Sequence, residues 1–475
     1  MPDAVLDKIR AVVGPAGYLD DPGDIEPYLR DFRGLFRGRA SLAVLPKNTQ
    51  EVSAVLAICN EHRIGLVPHG GNTSYCGGAT PDASGRQIVL GLKRMNRIRR
   101  VSPLDHAITV EAGCVLAQVQ EAADAVERLF PLSLGSEGSC QIGGNLATNA
   151  GGTAVLRYGM VRDLVLGLEV VLADGRVLDG LKSLRKDNTG YDLRHLFIGS
   201  EGTLGIITAA CLKLFPKPVE YATAIAAVAN PKAAVELLAV LRAASGDAVT
   251  TFELIPRLAV ELTSRHISGV SDPFAQAHEW YVLIELTSSR TGSGLAEALE
   301  GALAEAATRA QVIDAAIASS ARQRESLWRM RETVPEAQRH AGASIKHDVS
   351  VPISSIAEFI ERGSQWIAAH VPEGQLIAYG HLGDGNLHFN IQQRPEAKTD
   401  DFLARADAAH RAIHDLAALY GGSFSAEHGI GQLKLTELRR YKDATALELM
   451  RDIKRTLDPR GILNPGKVLD AAPAP

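Results

Sequence analysis

Three glycine-rich blocks, each set against apolar strand-like material, narrow the possible folds of this 475-residue chain more than anything else in it. The first follows GLVP and runs His69, Gly70, Gly71, Asn72, Thr73, Ser74, with Gly77 and Gly78 close behind. The second links Gly135 and Gly138 to Ile142, Gly143, Gly144, Asn149, Gly151 and Gly152, with Arg157, Tyr158 and Gly159 following. The third, GSEGTLGII, holds Gly199, Gly202, Gly205, Ile206 and Ile207. With no Cβ in the way, successive backbone N–H groups can converge on an anion such as a pyrophosphate. One such loop reads equally well as a mobile turn. Three of them beside strands point to backbone laid closely along a long, flat ligand. The GxGxxG and GxxxxGK[ST] nucleotide signatures are both missing.

A chain this long calls for two or three domains. From Ser41, SLAVLP, TQEVSAVLAICNEH and GLVPHGG alternate strand, helix and strand, the rhythm of a partly parallel α/β layer. RQIVLGL, AITVEAG and LVLGLEVVLADGRVL add strands, the last folding back through a hairpin turn at ADG. Pro216 and Pro218 mark a change of character, after which strands such as YVLIELTSS alternate with alanine-rich helices such as GLAEALEGALAEAATRAQ. The expected division is 1–217, 218–409 and a helical 410–475 ending in a short Ala/Pro tail. MPDAVLDKIRAVVG reads as an amphipathic helix and not as a targeting signal, and no apolar run reaches the roughly 18 residues of a membrane span. A net charge of −5 gives no reason to expect nucleic acid, and five scattered cysteines suit a reducing compartment. The expected location is the cytoplasm, with peripheral membrane contact left open.

The densest chemistry lies in QLIAYGHLGDGNLHFNI, residues 375–391. If Asp384 and Gly385 form a two-residue hairpin turn, Leu382 pairs with Leu387 and His381 sits opposite His388. Opposed residues share a face with Cβ atoms roughly 4.5–5.5 Å apart, so both rings could ligate one metal, and Asn390 falls on the same face. SAEHGIG adds Glu427 as a carboxylate and His428 as a base that titrates near neutral pH. Two histidines and a carboxylate with open positions suit Zn²⁺, Mn²⁺ or Fe²⁺. Arg331, in LWRMRE, and Lys346, in SIKHD, could together meet a carboxylate. By residue type alone, both read as solvated surface charges.

The glycine blocks, GHLGDGNLH and AEHG together resemble the D-lactate and D-2-hydroxyglutarate dehydrogenase branch of the vanillyl-alcohol-oxidase/p-cresol-methylhydroxylase superfamily, from about Ser41 to Leu469. The resemblance implies an α+β fold: a FAD-binding domain of two α/β subdomains, an α/β cap for the substrate, and a helical C-terminal segment that returns to complete the active site. It implies that the first loop and the 135–152 block hold the pyrophosphate of FAD, and that the 199–207 block lies near the flavin ring. Asn464, in the terminal LNPG run, joins the cofactor contacts. His381, His388 and Glu427 match the family's metal ligands, with Zn²⁺ the expected ion. Arg331 and Lys346 become substrate anchors, with Asn390 and His428 beside them. Relatives with covalent flavin often carry histidine directly after the first Gly-Gly. Asn72 stands there, so noncovalent FAD is expected. Pro335 departs from the Thr or Ser usual in the hydroxyglutarate enzymes and offers neither hydroxyl nor N–H.

The expected reaction oxidises a D-2-hydroxy acid to the 2-oxo acid, D-2-hydroxyglutarate or D-malate ahead of D-lactate or glycolate. The metal lowers the pKa of the substrate hydroxyl, His428 takes its proton, and the flavin takes the hydride. No NAD fingerprint or iron–sulfur cysteine pattern is present, so the electron acceptor is external, an electron-transfer flavoprotein or a quinone. A homodimer is expected. Two other classes compete. A non-redox flavin transferase would be supported by a histidine-rich triplet near the C-terminus, which is missing. An assembly subunit of a glycolate oxidase complex would not need the intact set of His381, His388, Glu427 and His428.

Overall fold

The helix Thr49–His62 shows how local sequence sets the elements. Asn48 accepts from the Glu51 N–H at 2.8 Å and caps its start, and Arg63 ends it in the left-handed conformation, φ 53°. Val52, Val55, Leu56 and Cys59, spaced by three and four, are its buried face. The amphipathic helix read at the N-terminus likewise forms, over Asp3–Val13, and buries Val5, Leu6, Ile9 and Val13.

The computed structural model describes residues 3–471, so the end of the Ala/Pro tail lies outside the described residues. Two units make up the chain. The first takes 1–152, 159–217 and 427–475, and the second takes 153–158 and 218–426.

In the first unit, strands run in the order Tyr18–Leu19, Ala40–Val44, Gln87–Gly91, Gly65–His69. Gln87–Gly91 is parallel to both of its neighbours. The α/β rhythm is therefore present, but the strands flanking Thr49–His62 are not adjacent, because Gln87–Gly91 inserts between them. A second, antiparallel sheet contains Ala107–Glu111, Ile206–Lys213 and Val165–Val171, with Val177–Asp179 closing the hairpin expected at ADG. The C-terminal stretch is tied in at Leu463, which bridges Leu66, and at Asn464, whose N–H donates to the Leu66 carbonyl at 2.8 Å.

The second unit is built on one eight-stranded sheet whose central members are Glu220–Val228, Trp280–Ser288, Val249–Pro256, Gly374–His381 and Asn386–Gln393. Its ladders are antiparallel throughout. The helices Pro231–Ala244, Leu295–Thr308 and Ile356–His370 bury their leucine, alanine and isoleucine faces in its main core. The helix Ala406–Leu419 also belongs here, and the unit runs on to Ala426, past the division read at residue 409. No helix among the described residues is long and apolar enough to cross a membrane.

Candidate active site

In the first unit the glycine blocks pack on one another. A Cβ on Gly71 would sit 2.2 Å from the Ser139 carbonyl oxygen, and one on Gly70 would lie 3.6 Å from the Gly144 Cα. The first loop and the second block thus cross backbone against backbone, a crossing only glycine permits at Gly71. Beside it lies a cavity of about 530 Å³ lined by His69, Gly70, Gly71, Asn72, Lys93 and Gln141. Asn72 takes φ 52° and its side-chain amide donates to the Arg30 carbonyl at 2.8 Å, so it is held as a turn residue. His69 packs on Tyr28 with ring centroids 4.7 Å apart, and burial, with Lys93 nearby, pushes its imidazole down to about 4. The Nε2 of His69 and the Oε1 of Gln141 are buried and meet no hydrogen-bond partner among the described residues. Buried polar atoms of this kind call for an outside partner. A polar ligand fits this cradle.

The other residues expected to meet the cofactor fall into two groups. Gly202 packs on Pro68, and Gly205 on Val170 and Phe197. Ile206 and Ile207 open a buried sheet strand opposite Val171 and Val170. Asn464 donates through its side chain to the carbonyls of Gly78 and Glu201, at 3.0 and 2.8 Å, and so joins the first and third blocks. Gly135, Gly138 and Gly144 have no neighbour within 4 Å of a notional Cβ, which leaves them open. Tyr158, expected among the cofactor residues, belongs to the second unit, in the short helix Val155–Tyr158.

Glu427 and His428 lie at the start of the first unit's last segment. Glu427 Oε1 accepts the Gly152 N–H at 3.0 Å, and the His428 ring stands 4.6 Å from that of Tyr75. Glu201, a residue the sequence reading left without a role, holds this segment by accepting from the Ile430 and Gly431 N–H groups at 2.7 and 2.8 Å. Burial raises the Glu201 pKa, and those two donors pull the other way.

The second unit carries the histidine pair, in a register different from the one expected. The turn is not the two residues Asp384 and Gly385. Leu382–Asp384 forms a 3-10 turn, and Gly385 follows in the left-handed region, φ 88°. His388 therefore pairs with Tyr379, while His381 pairs across the other ladder with Glu253. Gly380 makes this possible. At φ 125° the strand turns away from one partner toward the other, and a Cβ there would press on the His388 ring at 3.1 Å. The slip amounts to two residues, so every side chain keeps its face. His381 and His388 end as diagonal neighbours with ring centroids 5.6 Å apart and rings at 70°. Two imidazoles on one zinc ion have centroids separated by roughly 5–6 Å, given Zn–N bonds of about 2.0–2.1 Å.

The remaining residues surround this pair. Arg331, at the end of the helix Ala321–Glu332, is 7% exposed, so it is not the solvated charge its type suggests. Its guanidinium lies 5.0 Å from the Tyr379 ring centroid, and that ring lies 4.9 Å from His388. Asn390 is on the expected face, but its amide serves the protein: Oδ1 accepts from the His347 N–H and Nδ2 donates to Gln338. Lys346 is exposed, in the break between Ser344–Ile345 and Asp348–Ser350. Pro335 sits in the first turn of the helix Val334–His340, where an N–H would have no helical acceptor, so helix geometry accounts for it.

Comparisons with known proteins identify the family and the fold. Residues 40–180 match the FAD binding domain family, and residues 217–468 match the family of FAD linked oxidases, C-terminal domain. Solved structures of the same fold include p-cresol methylhydroxylase, with a TM-score of 0.76 at 19% identity over 98% of this chain and 97% of the other. Alkyldihydroxyacetonephosphate synthase gives 0.73 at 18% identity, over 98% and 86%. The chain belongs to the FAD-linked oxidases, with the vanillyl-alcohol-oxidase/p-cresol-methylhydroxylase fold, and is an FAD-dependent oxidoreductase.

Within that class its relatives include D-2-hydroxyglutarate dehydrogenases. It is 40% identical to that of Bos taurus over 96% of this chain and 82% of the relative. It is 38% identical to that of Arabidopsis thaliana over 97% and 80%. For that of Xanthomonas citri pv. viticola the figures are 36% identity over 100% and 99%.

Proposed function

We propose that this chain oxidises a D-2-hydroxy acid, D-2-hydroxyglutarate first and D-malate next, to the 2-oxo acid, with noncovalently bound FAD and one divalent metal. The observation that carries the metal is the His381/His388 pair on one sheet face, His381 buried and His388 half-buried. Glu427 is the third ligand in this reading. The residue before it, Ala426, donates its N–H to the carbonyl of Asp348, which is paired with His388, so the chain passes beside the histidines before it reaches Glu427. FAD supplies the hydride acceptor and the metal supplies Lewis acidity toward the substrate hydroxyl.

The protein's own residues do the rest. Arg331 and Lys346 bind the substrate carboxylates, Arg331 as a planar fork already fixed against Tyr379. His428 takes the hydroxyl proton, its ring steadied by Tyr75. Asn390, engaged by His347 and Gln338, keeps the strand face rigid beneath the site. Electrons leave to an external acceptor, an electron-transfer flavoprotein or a quinone, and the enzyme works in the cytoplasm as a homodimer.

The test is a panel of D- and L-2-hydroxy acids with an artificial dye as acceptor, run before and after chelation and again after Zn²⁺ is restored. We expect kcat/KM at least about tenfold higher for a D-2-hydroxy diacid than for D-lactate, equivalent to roughly 1.4 kcal/mol, with activity lost on chelation. D-lactate used as well or better defeats the diacid assignment. Full turnover in metal-free protein defeats the metal.

A further inference from the structure

The chemistry above uses Arg331 and His381 and passes over the group that touches both. Glu253 lies in the strand Val249–Pro256, every residue of which is buried, and is itself 0% exposed. One of its carboxylate oxygens, Oε1, lies 2.6 Å from Nδ1 of His381. The other, Oε2, accepts from Nε of Arg331, also at 2.6 Å.

A buried ion pair of this kind is poor evidence of a stabilising role, because well-packed apolar residues are often as stable or more so. Its geometry suggests another use. With the Nδ1 proton of His381 directed to a carboxylate, the lone pair must sit on Nε2, the tautomer a metal needs. The same carboxylate fixes the edge of the Arg331 guanidinium whose face lies on Tyr379. Arg331, Tyr379, His388, His381 and Glu253 thus close a ring of contacts on one face.

We propose that Glu253 is a positioning residue that couples the two halves of the site, setting the metal-binding histidine and the carboxylate-binding arginine in mutual register through one carboxylate. This rests on the metal and substrate roles assigned above. A glutamine in its place has one acceptor oxygen for two donors, so it serves His381 or Arg331 but not both.

The experiment titrates Zn²⁺ into chelator-stripped flavoprotein and measures steady-state kinetics at saturating Zn²⁺. Glu253→Gln should bind Zn²⁺ about 10–100-fold more weakly, in line with other residues that orient a metal ligand, and should show a raised KM for the D-2-hydroxy acid at unchanged FAD content. Arg331→Leu should raise KM without weakening Zn²⁺ binding, because Glu253 still holds His381. Should Glu253→Gln not fold, Glu253→Leu combined with Arg331→Leu removes the buried charge together with its partner. That protein should bind Zn²⁺ more weakly than Arg331→Leu alone. Unchanged Zn²⁺ affinity and KM in Glu253→Gln, with only a lowered Tm, would show a merely structural carboxylate and overturn the assignment while the metal reading stands. Wild-type turnover untouched by stripping overturns both, and is seen without any variant.

Discussion

The two units carry their candidate functional residues on different materials. The first uses backbone: Gly71 against Ser139, Gly70 near Gly144, and Asn464 fastening the carbonyls of Gly78 and Glu201. The second uses side chains on a sheet face: Glu253, Arg331, Tyr379, His381 and His388 in mutual contact. A backbone cradle is indifferent to most side chains but intolerant of an added Cβ where strands of chain cross. A side-chain ring depends on the identity of each member and on the register that presents it. The difference sets how each half should fail.

The sharpest departure from this division is His428, a chemical side chain carried by the backbone-built unit. His428→Ala should keep FAD and metal yet lose roughly 10²–10⁴-fold in kcat, the usual cost of removing a general base. Steady-state kinetics with FAD and metal contents measured alongside will show it. A raised KM at unchanged kcat would instead make His428 a substrate-binding residue.

Gly71→Ala probes the backbone cradle itself. Its Cβ would meet the Ser139 carbonyl 2.2 Å away, and no side-chain rotation relieves that. We expect a loss of about 1–3 kcal/mol, typical of overpacking, together with a fall in FAD content read from the flavin absorbance per chain. Full flavin occupancy in this variant would break the comparison.

The last effect is a pH dependence, spread over a window of pH. His69, lowered to about 4 by burial in the folded chain, returns to its ordinary value of 6.5 on unfolding. Between these values the unfolded state binds the extra proton. Stability from this group is therefore complete above pH 6.5 and drains away as the pH falls toward 4, by at most about 1.4 kcal/mol per pH unit. Urea midpoints across that window should slope less in His69→Gln. An identical slope would show that His69 is not the titrating group.

The sequence disclosed most where a pattern has a single physical cause. The helix Thr49–His62 matches the segment TQEVSAVLAICNEH because cap, apolar spacing and end agree. The glycine blocks pointed to one flat ligand because three of them lie beside apolar strand material. The hairpin at Asp384 was misread because Asp-Gly suits several turns, and only Gly380, bent between two partner strands, decides the register. Arg331 was legible only by resemblance, since no pattern in LWRMRE says which charge is buried. Glu253 left a signal that went unused: a lone acid inside the apolar run VTTFELIP has to be paired if that strand is buried. The break at Lys346 and His347 had no signal, because it depends on the Asn390 amide reaching the His347 N–H.

The first unit is also discontinuous, and this bears on when it can finish folding. Leu66 waits for Leu463, and Gly78 for Asn464. On a ribosome adding about 5–20 residues per second, the chain between Gly71 and Asn464 takes roughly 20–80 s to make. Most of the second unit, 218–426, is synthesised as one stretch within that interval. The order of synthesis therefore lets the second unit take shape while the first is still missing its last strap, and the first unit closes only once that late segment has been made.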